Sequence, residues 1–95
     1  MSDIEKAARD FDTNELFNVV QFFKSGGHEY VRRNVPGKEA VDAAWHYTHS
    51  VGATAGFTCR VIITDSGDST VYEWIFGKGT VFPAIEATPQ KDYRK

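Results

Sequence analysis

Cysteine occurs once in the 95 residues, as Cys59, so the chain has no means of closing an internal disulfide. That excludes a stapled secreted scaffold, whose small core depends on paired cysteines. Long apolar runs are missing too: no stretch approaches the ~20 residues a membrane helix requires, and the residues after Met1 carry no apolar signal-like region. The cytoplasm is therefore the expected compartment, with no membrane partner. Neither charge sign dominates, with 11 Lys and Arg against 13 Asp and Glu and a formal net charge of -2. A sequence-independent nucleic-acid binder neutralises many phosphates with Lys and Arg, so this balance disfavours one. Residues 25–27 and 77–79 are the glycine-dense loops, and both are too short for a phosphate-binding loop or a dinucleotide fingerprint. They read as turns.

What is present is enough apolar material for one core. The hydrophobic fraction is 41% and the aromatic fraction 14%. A chain of this length buries roughly two-thirds of its unfolded surface, which supplies one domain and not two. The aromatic share exceeds what such a core needs and places some rings at a partner surface.

The most legible segment runs from Phe57 to Phe76, two strand-like runs joined by residues 65–68. A two-residue turn at Ser66 and Gly67 would pair Ile63 with Thr70, Ile62 with Val71, Val61 with Tyr72, Arg60 with Glu73, Cys59 with Trp74 and Phe57 with Phe76. One face then carries Phe57, Cys59, Val61, Ile63, Tyr72, Trp74 and Phe76. The other carries Thr58, Arg60, Ile62, Val71, Glu73 and Ile75, with Arg60 and Glu73 as a cross-strand charge pair.

Residues 16–24 and 29–35 read as an earlier hairpin. A turn at Gly26 and Gly27 would pair Lys24 with Glu29, Phe23 with Tyr30, Phe22 with Val31 and Val20 with Arg33. Between the hairpins, Lys38 to about Val51 has helical periodicity, with Val41, Ala44, Trp45, Thr48 and Val51 on one side, extended by Ala40 and Tyr47. Residues 52–56 form a small-residue connector with Gly52 as the helix C-cap. Residues 80–83 add a short edge strand ended by Pro83.

The predicted fold class is α+β: two β-hairpins flanking a central helix, ββαββ, with a four-stranded, mainly antiparallel sheet and the helix on one face. Residues 14–83 form the domain. Residues 1–13 are an arm or short helix with Ile4, Ala7, Ala8 and Phe11 as a thin apolar stripe, and residues 84–95 a disordered tail.

Four groups of residues are of types that could carry chemistry. Asp42, His46 and His49, spaced i, i+4 and i+7 on one helical stripe beside Glu39, are metal-ligand types that would centre a metal-dependent enzyme; the same stripe also describes a solvated helix face. Arg32, Arg33 and Arg60, with sheet aromatics, would make a nucleic-acid platform. Cys59 sits among apolar neighbours and reads as a small hydrophobe, not a nucleophile. Asp65 and Asp68 read as turn residues that bond their own backbone. The leading expectation is a non-enzymatic interaction or regulatory module needing no cofactor. It uses the outer sheet face (Thr58, Arg60, Ile62, Val71, Glu73 and Ile75) or a sheet edge, and binds another protein or a second copy of itself as a homodimer.

Overall fold

In the computed structural model, which describes residues 15–83, one antiparallel sheet is covered on one face by helix. Its strands are β1 (Leu16–Phe23), β2 (His28–Pro36), β3 (Thr58–Thr64), β4 (Thr70–Ile75) and β5 (Gly79–Phe82). They lie in the order β2-β1-β3-β4-β5, and every neighbouring pair is antiparallel. The fold class is α+β, but the sheet has five strands where four were expected, because the short edge segment Gly79–Phe82 pairs with β4, with one register slip between Glu73 and Trp74. The expected readings for residues 1–13 and for the tail from residue 84 lie outside the described residues.

Two helices join β2 to β3 across β1: α1 (Gly37–Thr48) and the one-turn α2 (Val51–Ala55). The single helix expected up to Val51 is thus broken, and polar side chains break it. The Thr48 hydroxyl donates to the carbonyl of Trp45 at 3.1 Å, and Ser50 Oγ accepts from the backbone of Ala53 at 3.1 Å, starting a new helix. Short hydroxyl side chains compete with the helix ladder in this way and favour caps. The left-handed C-cap falls on Gly56, at φ 86, and not on Gly52.

The buried side of α1 is built from Ala40, Val41, Ala43 and Ala44. Small side chains let the helix sit close to the sheet, against Phe17, Val19, Val61, Ile63 and Tyr72. The expected stripe was rotated too far. Trp45 is 48% exposed and Val51 86%, while Tyr47 packs against the core.

Both hairpin loops are one residue longer than expected. In the first, Phe23 donates to Gly27 and Gly26 to Phe23, each at 2.8 Å, so the loop is Lys24, Ser25 and Gly26, with Gly26 at φ 109. The second repeats it: Asp65 donates to Ser69 at 2.9 Å and Asp68 to Asp65 at 3.0 Å, with Asp68 at φ 65. Three-residue loops end in this way on a residue of positive φ. Asp65 Oδ1 holds the second loop together, accepting from Gly67 and Ser69 at 2.9 Å each.

Loop length resets register. In the second hairpin Val61 faces Trp74 and Ile63 faces Tyr72, a shift of two residues, one from the longer loop and one from the register slip beside Val71, that keeps residues 60–63 and 72–75 on their expected faces. In the first, Val20 faces Tyr30 and Phe22 faces His28, whereas Val20 was expected opposite Arg33. That shift is odd, and it turns β2 over.

Candidate functional site

The sheet face away from the helices is organised as two cross-sheet rows. One runs Tyr30, Val20, Ile62, Glu73, Phe82, each residue being the strand partner of the next. The other runs His28, Phe22, Arg60, Ile75, Gly79. Strand alternation places these side chains together, since residues two apart on a strand share a face.

Planar groups connect the rows. Arg60 Nε lies 2.6 Å from Glu73 Oε2, a diagonal contact where a directly opposed one was expected. The same guanidinium sits over the Phe22 ring, 4.9 Å from its centroid. Phe22 meets His28 at 5.7 Å between centroids, His28 meets Tyr30 edge-on at 6.0 Å, and Arg33 lies over the Tyr30 ring at 4.0 Å. Guanidinium groups stack on rings because the ring faces are electron-rich and the ion is weakly hydrated. At the centre Val20 and Ile62 are buried, at 3% and 8% exposure, while Tyr30 (42%) and Phe82 (47%) stand open at the flanks.

Four of the six expected outer-face residues, Arg60, Ile62, Glu73 and Ile75, occupy these rows. Thr58 and Val71 do not. The β1–β3 register slips between Phe22 and Phe23, so Thr58 pairs with Phe23 and turns inward. It is 4% exposed, donates to Gln21 Oε1 at 3.0 Å and lies against Gly52 of α2. Val71 is the unpaired residue where the β3–β4 register slips between Ile63 and Thr64, and it packs against the helix-side core. Bulges re-aim side chains in this way.

The three arginines separate likewise. Arg32 pairs with Val19 on the helix side, where its Nε is 3.8 Å from Glu39 Oε2. Arg33 and Arg60 share the outer face, the latter joined to Glu73.

Asp42, His46 and His49 are each engaged separately. Asp42 pairs with Lys38 at 3.3 Å, His46 meets Tyr47 edge-on, and His49 stacks on Trp45 at 4.2 Å with Nδ1 2.8 Å from the Trp45 carbonyl oxygen. Among the described residues no group of three or more His, Cys, Asp or Glu side chains is placed to hold a metal ion. Cys59 is half-buried near the start of β3. Phe57 and Phe76, expected on the core face, lie at the strand ends at 68% and 46% exposure, with the Phe76 ring resting on Gly56.

Sequence reasoning missed Val20, Phe22, His28, Tyr30 and Phe82 as outer-face residues. The signal lay in the loop: Gly26 supplies the positive φ that a three-residue turn needs, and that length sets β2's alternation. No helix among the described residues is long and apolar enough to cross a membrane. No protein-family model matches the chain, and no curated protein or solved structure matches it either.

Proposed function

We propose that this protein is a non-enzymatic interaction module whose outer sheet face receives a protein partner. The supporting observation is the makeup of that face: Tyr30, Phe22, Ile75 and Phe82 surround Val20 and Ile62, and its Arg60 is already joined to Glu73 at 2.6 Å. Aromatics and arginine with few unpaired charges are the composition of a protein-binding patch. Sheet edges are poorer docking places here. β5 has four residues, and β2 is interrupted by two register slips and by Asn34 at φ 53. Short edges and bulges discourage strand addition.

Site-specific photo-crosslinking tests the reading. A benzoylphenylalanine at Tyr30 or Phe82 is expected to trap protein in expressing cells, while the same probe at Trp45 or Val51, at least as exposed but on the helix side, traps little. Equal or absent trapping at the two sets contradicts the reading.

A second reading, nucleic-acid binding, is favoured by the two stacked pairs Arg33–Tyr30 and Arg60–Phe22. It is weakened because Arg32 turns to Glu39 and Arg60 to Glu73. Its signature is an affinity for mixed oligonucleotides that falls steeply with salt.

A further inference from the structure

The outer face is complementary to itself. Consider a half-turn about an axis parallel to the strands and lying above the gap between β1 and β3. It lays β1 of one copy over β3 of the other, and β2 over β4, while each cross-sheet row meets the same row reversed. In the first row Val20 then faces Ile62 and Tyr30 faces Glu73. In the second, Phe22 faces Arg60 and His28 faces Ile75. A phenol donor meets a carboxylate and a guanidinium meets a ring, around a centre where the already buried Val20 and Ile62 lie beneath. A two-fold interface requires this property, that residue i touches j while j touches i.

The alternative two-fold axis, across the strands and between the two rows, fails the same comparison. It would lay each strand over itself and set Arg60 against Ile62 and Glu73 against Ile75, placing charge on aliphatic surface. The blunted edges of β2 and β5 leave the face, and not strand addition, as the means of self-association. We infer that the partner of the outer face is a second copy of this chain, docked face to face about an axis along the strands between β1 and β3. The inference rests on the outer-face reading above and names its occupant. Aligned sheets pack about 10 Å apart. Because Val20 and Ile62 are already buried, the new burial comes from Tyr30, Phe22, Arg60, Glu73 and Ile75.

The test uses the pairing of unlike positions. In a Cys59→Ser background, chains carrying Tyr30→Cys are mixed with chains carrying Glu73→Cys and treated with a bismaleimide whose reach matches the inter-sheet spacing. Linked dimers are expected several-fold more abundant in the mixture than with either chain alone. Equal yields overturn the arrangement. Sedimentation of the unaltered chain is read alongside, so that a poorly folding variant does not decide the matter: twice the chain mass is expected at about 100 µM, and a strict monomer overturns the dimer. A monomer whose Tyr30 photo-probe still traps other proteins in cells overturns the dimer and leaves the outer-face reading standing. A monomer that traps nothing overturns both.

Discussion

Gln21 is a polar side chain at 7% exposure on the helix side of β1, and it is held from two directions. Thr58 Oγ1 donates to its Oε1 at 3.0 Å, and its Nε2 donates to Glu29 Oε1 at 2.9 Å. Removing one partner of a buried hydrogen bond leaves the other desolvated, whereas removing both together leaves no polar group stranded. Thr58→Val is therefore expected to cost about 1–3 kcal/mol, and adding Gln21→Leu should recover part of that loss. Urea denaturation of the two single variants and the double variant measures it; simple additivity would show that the pair is not coupled.

The aromatic anchor of the core is Tyr72, at 2% exposure within the core cluster, while Trp74 is only half-buried against it. Sequence alternation placed both on the correct face, because a slip of two residues preserves alternation. It did not rank them, since Trp74 lies nearer the end of β4, where cover thins. Tyr72→Ala is expected to cost on the order of 3–5 kcal/mol and Trp74→Ala distinctly less. Thermal unfolding with the larger loss at Trp74 would reverse the assignment.

At the scale of elements, turn chemistry decided what was readable. Strand and helix positions followed from alternation, helical periodicity and punctuation by glycine and proline. Loop length did not, because Ser25–Gly26 and Ser66–Gly67 suit two-residue and three-residue turns equally well. In the second hairpin the extra loop residue and the slip at Val71 together moved the register by an even step, whereas the longer and earlier first loop moved it by an odd one, so the outer face was largely legible on β3 and β4 and hidden on β1 and β2. Bulges at Cys59 and Val71 were equally invisible, since a single unpaired residue leaves no mark on a two-residue period.

Gly56 joins α2 to β3 with two constraints at once. Its φ is 86, and an added Cβ would stand 3.2 Å from the Phe76 ring. Gly26 has φ 109 but open space around it. Gly26→Ala is expected to cost about 1–2 kcal/mol from backbone strain alone, and Gly56→Ala more, because the ring must also give way. Equal losses in chemical denaturation would show that Phe76 moves aside freely.

For the molecule as a whole, the claim is a division of labour between the two sheet faces. The helix side holds the core through Phe17, Val19, Val61, Ile63 and Tyr72 beneath the alanine face of α1. The other side arrays Tyr30, Phe22, Arg60, Glu73, Ile75 and Phe82, the surface proposed for docking. Most of the exposed rings among the described residues follow this division: Tyr30 and Phe82 stand on the outer face and Phe57 and Phe76 at the strand ends, with Trp45 on the helix as the exception. Amide NMR spectra recorded along a dilution series test that claim most directly. Concentration-dependent shifts centred on Tyr30, Phe22, Arg60 and Glu73 are expected. Spectra that do not change with concentration, or shifts centred instead on Trp45 and Phe57, would contradict it.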